Sequence, residues 1–249
     1  MEHSDRLLTG VVAALSAEAR TFGAPLRRGD GLLAINDGTL VAVSGMGSTA
    51  AAIAARALVD AGATALVSWG MAGGLDPALP AGTVCLPNAV VSRDGATFAT
   101  DPHWRELLIA AIAAPHTVVS GKLLTTALII KDSAGKAAAF RETGAAAVDM
   151  ESLGVAKIAA THGLPFIAVR VIVDTANDTL PAAVLAASRE GTVHISRLIL
   201  GIARSPRDIA PLLRLAHRYR TASRALVAVA RTGALAPLAF AAGSPSRIA

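Results

Sequence analysis

Three acidic residues, Asp149, Glu151 and Asp174, and one arginine, Arg170, stand at or just beyond strand-like runs, where an α/β fold can bring distant chain positions to one sheet edge. Carboxyls grouped in this way suit cleavage of the glycosidic bond of a nucleoside. One carboxyl, kept protonated in a poorly solvated cleft, helps the base to leave, while an ionised one faces the positive charge growing on the sugar. Plainer uses stand beside this one. Arg170 also fits a salt bridge to Asp149, and Asp174 also fits a helix or turn cap.

The elements that must carry these residues are legible as alternating apolar patterns. Strand-like runs fall near residues 8–15, 31–35, 40–45, 64–69, 83–91, 117–126, 145–149 and 165–173, and helical patterns at 48–62, 102–113, 133–143 and 150–163. The last helix stops at His162-Gly163 before Pro165. Such alternation predicts a largely parallel or mixed sheet flanked by helices. Two glycine-rich segments follow strands. Ser44-Gly45-Met46-Gly47-Ser48 opens a helix, so the N–H groups around Gly45 and Gly47 are expected to face an anion or a sugar hydroxyl. It matches neither the dinucleotide fingerprint nor a phosphate-binding loop with its lysine. Trp69-Gly70-Met71-Ala72-Gly73-Gly74-Leu75 is expected to end a strand and let a ligand approach the backbone at Gly70, Met71 and Gly73. Together the two segments outline a cleft.

Composition bounds the rest. A chain of 249 residues holds one large α/β domain or a domain with an appendage, and the second arrangement is expected, divided into residues 1–180 and 181–249 with a disordered end. With 53% hydrophobic but only 3% aromatic residues, the core must be built from Ala, Val, Leu and Ile, which disfavours an aromatic platform for nucleic acid. The single cysteine, Cys85, excludes an internal disulfide and reads as a small buried hydrophobe. Residues 7–15 read as a first buried strand rather than a signal peptide, because Glu2 and Asp5 precede them instead of a basic cluster. No apolar run approaches the roughly eighteen residues of a membrane span, so a cytoplasmic protein is expected.

Charge is concentrated at one end. Residues 189–249 carry ten arginines against Glu190 and Asp208, a net of +8, whereas the other 188 residues sum to −3. Between those arginines, Ile209, Leu212, Leu213, Leu215, Ala216, Tyr219, Ala222, Leu226 and Val227 recur with helical spacing. The pattern predicts a docked amphipathic helix with a solvated basic face. Attraction of that face to anionic lipid is the second reading, and nucleic acid has no motif to support it.

Five segments in order carry a resemblance: Gly10-Val11-Val12-Ala13-Ala14-Leu15-Ser16-Ala17-Glu18, Ser44-Gly45-Met46-Gly47, Gly70-Met71-Ala72-Gly73-Gly74-Leu75, Val148-Asp149-Met150-Glu151 and Arg170-Val171-Ile172-Val173-Asp174-Thr175-Ala176. Over residues 7–178 the chain resembles the nucleoside phosphorylase superfamily, nearest its methylthioadenosine/S-adenosylhomocysteine nucleosidase branch. The tail and residues 72–79 are similar to the hopanoid-associated phosphorylases within it. The resemblance implies a three-layer α/β fold with a central twisted mixed sheet and a helical C-terminal extension. It also implies removal of adenine from adenosylhopane in hopanoid synthesis, by phosphorolysis or hydrolysis. Alternatives are an ordinary methylthioadenosine/S-adenosylhomocysteine nucleosidase and a non-catalytic nucleoside-binding protein. No metal or organic cofactor is implied, with phosphate an optional co-substrate. The implied partners are a small nucleoside bearing a lipid 5′ substituent, a second copy in a homodimer, and the inner membrane face through the basic helices.

Residue by residue, the resemblance implies that Asp174 shares a proton with purine N7, that Glu151 binds the ribose hydroxyls and opposes the sugar's charge, and that Met150 packs on the ribose. Glu18 and Arg170 match the pair that positions the attacking water, although Glu18 also fits a solvated first-turn glutamate. Ile129 and Ile130 stand where relatives hold adenine with an aromatic group and backbone contacts, so aliphatic packing and main-chain groups are expected here. Where phosphorolytic branches place an arginine for phosphate, this chain has Trp69 and Met71. A buried phosphate dianion without a cation is strongly disfavoured, so unless Arg20, Arg27, Arg28 or a partner subunit supplies charge, water is the easier nucleophile. Met71 also replaces a small hydroxyl residue, and Val173 a serine, of the nucleosidase pattern.

Overall fold

A computed structural model describes residues 7–23, 27–29, 31–112, 114–180 and 209–235. Twelve strands form one mixed sheet: β1 (Thr9–Ala13), β2 (Arg27–Gly29), β3 (Leu32–Asn36), β4 (Thr39–Val43), β5 (Ala65–Gly74), β6 (Val84–Cys85), β7 (Ala89–Val91), β8 (Thr97–Ala99), β9 (Val118–Val119), β10 (Lys122–Thr125), β11 (Ala145–Asp149) and β12 (Phe166–Asp174). The described helices are α1 (Ser16–Ala19), α2 (Ser48–Asp60), α3 (Pro102–Ala111), α4 (Ser133–Thr143), α5 (Ser152–His162) and α6 (Ile209–Arg231). The expected α/β architecture is present, and the four expected helices lie within two residues of their predicted bounds. The apolar runs at 83–91 and 117–126 are each broken in two, the first across Pro87 and the second across Gly121.

Three layers result because the inward residues of each strand alternate between two faces. On one face, Val12, Leu66 and Ala168 pack with Ala51, Ala55 and Leu58 of α2 and with Val155, Ala156 and Ala159 of α5. On the other, Val11, Val67, Trp69 and Val169 pack with Trp104 and Leu108 of α3 and with Ala222, Ala225, Leu226 and Val229 of α6. The basic helix is thus docked by its apolar face, while Leu213, Arg214, Arg220 and Arg224 stay exposed. Among the described residues no helix is long and apolar enough to cross a membrane.

Strand β5 decides where a site can form. Along one edge it pairs in parallel with β12 from Leu66 to Gly73. The other edge is shared: β1 covers Ala65–Trp69 in parallel, and β11 covers Gly73–Gly74 in antiparallel fashion. Between these partners the edge at Gly70–Ala72 faces no strand among the described residues, and the ends of β1, β11 and β12 surround it. The expectation that Trp69–Leu75 ends the strand is corrected here. The strand runs on to Gly74, and its glycines serve crowding: a Cβ on Gly73 would lie 3.4 Å from an Asp174 carboxylate oxygen, and one on Gly74 would lie 3.2 Å from the Asp174 carbonyl.

Candidate active site

A cavity of about 280 Å³ opens at this fork, lined among others by Glu18, Met71, Asp149, Met150, Glu151 and Asp174. Each acid arrives by a different route. Glu18 lies on the short helix that follows β1, where its carboxylate accepts from the N–H of Leu15 (3.0 Å) and from that of Met71 (2.9 Å), the unpaired stretch of β5. It is 4% exposed, which removes the reading of a solvated helix residue. Burial pushes its pKa above the ordinary carboxylate range despite the nearby Arg170 and the backbone donors.

Glu151 precedes α5, and its Oε1 accepts from Gly47 N at 2.9 Å, the residue that opens α2. The two helix starts meet because residue 154 is glycine: a Cβ there would lie 2.0 Å from the Ser48 carbonyl oxygen. Burial first, and then the charge of Asp149, raise the Glu151 pKa to about 7, against the opposing pull of Arg170 and the Gly47 N–H. Expectation and structure differ over the first glycine turn. Gly47 does face an anion, that of Glu151, whereas the Gly45 N–H is bonded to the Ala14 carbonyl and Met46 is the turn residue lining the cavity.

Arg170 is 1% exposed and held from several sides. Its Nε lies 2.8 Å from Asp149 Oδ2, its Nη2 donates to Ser68 Oγ (2.7 Å) and Ser152 Oγ (3.1 Å), and Glu151 Oε2 is 3.9 Å away. The salt bridge to Asp149 therefore exists. Asp149 is also bonded by Thr125 Oγ1 (2.6 Å) and by Ser152, so its oxygens are occupied by the protein and it acts on the cavity by fixing Arg170. Asp149 lines the cavity, as its place in the expected site requires, with these protein bonds already on its oxygens. Glu18 and Arg170 nonetheless approach one another at Gly70, where a Cβ would lie 2.5 Å from Glu18 Oε1 and 2.6 Å from Arg170 Nη1. Buried nearby, Cys85 has its thiol pushed up to about 12 by burial and by Asp149.

Asp174 ends β12 and is 7% exposed. It is no turn cap: Asp178 takes that role, accepting from the N–H and the hydroxyl of Thr175 at 2.7 Å each. The partner of Asp174 is instead Lys136 of α4, fully buried, whose ammonium donates to Asp174 Oδ2 and to the Thr175 carbonyl at 2.8 Å. Burial raises the Asp174 pKa while Lys136 opposes the rise. Lys136 escapes sequence reading, since a lysine in an alanine-rich helix ordinarily reads as solvated.

Met71, Met150, Ile129, Ile130 and Gly73 line the cavity as expected, joined by Leu15, Met46, Val148, Val173, Leu180 and two residues of α6, Leu215 and Tyr219. Trp69 is turned away into the core, with its indole N–H on Thr21 Oγ1 at 3.0 Å, so this segment brings no cation to the cavity. Arg20 is exposed, and the side chains of Arg27 and Arg28 lie outside the described residues.

This arrangement can support acid-assisted departure of a group near Asp174, stabilisation of positive charge by Glu151, and delivery of a nucleophile between Glu18 and Arg170. The family model of the Phosphorylase superfamily matches residues 34–204. Futalosine hydrolase of Streptomyces coelicolor is 32% identical over 189 residues, covering 66% of this chain and 80% of that protein. Two solved structures share the fold, each covering 90% of this chain and 97% of the other. They are the 5′-methylthioadenosine/S-adenosylhomocysteine nucleosidase of Neisseria meningitidis in complex with methylthio-immucillin-A (TM-score 0.68, 18% identity) and the futalosine hydrolase of Helicobacter pylori (TM-score 0.66, 16% identity). The chain belongs to the Phosphorylase superfamily, as one of its enzymes.

Proposed function

We propose that this enzyme cleaves the N-glycosidic bond of an adenine nucleoside with an apolar 5′ substituent, adenosylhopane being the substrate to which the sequence resemblance points, and passes the sugar to water. The observation that carries the reading is the convergence of Glu151, Asp174 and Glu18 on one cavity from three separate parts of the chain. In the proposed sequence Asp174 gives its proton to a ring nitrogen of the base as the C1′–N bond breaks and the electron pair leaves with the base. Glu151 holds the ribose hydroxyls and opposes the oxocarbenium charge. Water bonds to C1′ and releases its proton to Glu18, whose carboxylate is held by the N–H groups of Leu15 and Met71 and lies in the field of Arg170.

Water is favoured over phosphate by charge. Among the described residues the cavity is lined by four acids and by no lysine or arginine, and the guanidinium of Arg170 beside it is already engaged by Asp149, Ser68 and Ser152. Its apolar side chains favour a hydrocarbon 5′ group. Helix α6 both walls the cavity with Leu215 and Tyr219 and presents Arg214, Arg220 and Arg224 to solvent, so the proposal includes peripheral contact with an anionic bilayer from the cytoplasmic side. The proposed assembly is a homodimer, to be checked by light scattering.

The test is adenine release from an adenosine-capped hopanoid, with and without phosphate, scoring free ribose against ribose 1-phosphate ends. Futalosine and 5′-methylthioadenosine are run in parallel. Preferred turnover of futalosine, favoured by the 32% identical relative, replaces the substrate but not the bond broken. Absence of base release from all three removes the reading. Liposome flotation of full-length and α6-truncated protein tests the membrane contact, and equal recovery removes it.

A further inference from the structure

Lys136 is a buried cation that the proposed mechanism does not yet use. Burying an ammonium ion carries a desolvation penalty of several kcal/mol, which a single exposed-type contact would not offset. Helix α4 nevertheless drives it inward. Asp132 caps the helix, its side chain accepting from Gly135 N at 2.8 Å, and Lys136 follows one residue later with 0% exposure. Its ammonium is fixed by two acceptors, Asp174 Oδ2 and the Thr175 carbonyl. Both flank the end of β12, so the lysine pins the strand terminus as well as the carboxyl.

The geometry leaves the two Asp174 oxygens with different surroundings. Oδ2 is taken by Lys136, whereas no protein hydrogen bond to Oδ1 is present among the described residues. Both oxygens lie close to Gly73, a cavity-lining residue, 3.4 and 3.5 Å from where its Cβ would sit. Three charged groups bear on Asp174. Lys136 comes from α4, Asp178 from the segment after β12, and Arg218 from α6. Asp178 and Arg218 form an ion pair with each other, so their effects on Asp174 largely cancel and Lys136 dominates.

We propose that Lys136 is a positioning residue for the acid step: it holds Oδ2, leaves Oδ1 for the leaving base, and supplies the counter-charge for the carboxylate that remains after proton transfer. The inference rests on the nucleoside-cleaving reading above and deepens it. Asp174 loses the proton on Oδ1 to the base, the base departs neutral, and the new anion is left beside an ammonium already in contact with it. No proton needs to leave Lys136. Without the lysine, the same transfer would create an uncompensated buried anion, making Asp174 a weaker acid.

Lys136→Met, similar in length and uncharged, is the test, with Lys136→Arg as the charge-retaining variant. The first readout needs no substrate. The infrared carboxyl band of Asp174, isolated by difference against Asp174→Asn in each background, is followed with pH, and its midpoint should rise by about 1–3 pH units in Lys136→Met and return toward wild type in Lys136→Arg. The second readout is kinetic. Asp174 must be protonated to act, so activity is lost as pH rises through its pKa, and the alkaline limb of kcat should move up by the same amount in Lys136→Met. Its kcat for adenine release should fall about 10- to 100-fold, less than the roughly 100- to 10,000-fold of acid catalysis as a whole because Asp174 itself remains, and at least about tenfold more than for a 4-nitrophenyl riboside whose leaving group needs no proton. An unmoved Asp174 titration, or equal losses with both leaving groups, overturns the proposal. If Lys136→Met fails to fold, Lys136→Gln carries the same titration. A wild-type protein that releases no base would remove the proposed function, whereas the titration would still decide whether Lys136 governs Asp174.

Discussion

Replacing Gly70 by alanine should damage catalysis far more than a single methyl group suggests. The added Cβ would lie 2.5 Å from Glu18 Oε1 and 2.6 Å from Arg170 Nη1, short by 0.9 and 0.8 Å of the 3.4 Å at which ordinary contact begins. Neither neighbour is a loose end. Glu18 is held by the N–H groups of Leu15 and Met71, and Arg170 by Asp149, Ser68 and Ser152. Overpacking of this kind costs about 1–3 kcal/mol in stability. A displacement approaching 1 Å in the groups that position the nucleophile should lower kcat/KM by about 100-fold, equivalent to about 3 kcal/mol in the barrier. The assay is base release by the purified variant, with denaturant unfolding as the parallel measure of stability. Activity within threefold of wild type in a folded, equally stable protein would refute the claim that Glu18 and Arg170 act as a fixed pair across Gly70.

Three further substitutions probe the supports of the site. Glu151→Gln should abolish the activity that grows as Glu151 ionises near pH 7, with kcat lower by about 100-fold or more. Its effect on stability has the opposite sign: a carboxyl whose folded pKa is raised takes up a proton on folding, so wild type loses stability as pH rises from about 4.5 through 7. The variant should therefore gain on the order of 3 kcal/mol relative to its own difference at pH 4 when both are unfolded at pH 8. A pH-independent difference would count against the raised pKa. Asp149→Asn leaves the buried Arg170 without its main counter-charge and should destabilise by about 3–5 kcal/mol in denaturant melts, a loss below 1 kcal/mol being the contrary result. Gly154→Ala should be destabilising by about 3 kcal/mol, although alanine is the better helix former by about 1 kcal/mol, because its Cβ would meet the Ser48 carbonyl at 2.0 Å. A variant as stable as wild type would show that α2 and α5 need not touch for Glu151 to reach Gly47.

The parts of this molecule that were legible in the sequence are those specified locally. Helix α5 ends at Gly163 in the left-handed conformation (φ 63°), as the order His162-Gly163-Leu164-Pro165 demands. Helix α6 was legible because apolar residues recur at helical spacing between arginines. Less legible was anything requiring two distant segments at once. Glycines 70, 73 and 74 read as a turn, because sequence alone cannot reveal that Glu18, Arg170, Ile172 and Asp174 press against a continuing strand. The roles of Leu215 and Tyr219 in the cavity wall depend on where α6 docks, and that of Lys136 on where α4 meets the end of β12. Strands β2 and β8 were missed for another reason: three residues each, they have too little apolar period to register.

The site owes its chemistry to the fork in β5. A strand paired along both edges has no N–H left for an outside group, but here β1 stops at Trp69 and β11 starts at Gly73, so the N–H of Met71 is free to hold Glu18. The same gap lets the ends of β11 and β12 bring Asp149, Glu151, Arg170 and Asp174 to one place. Two buried cations, Arg170 and Lys136, then divide the acids between them: Arg170 serves Asp149 and neighbours Glu18 and Glu151, and Lys136 serves Asp174 alone. Desolvation in this space of low dielectric lifts Glu18, Glu151 and Asp174 together, and the two cations oppose the rise without cancelling it. The proposed hydrolysis follows from that balance: a carboxylate in such a cavity would stabilise a cationic sugar, and a neutral water molecule enters it without adding a further anion.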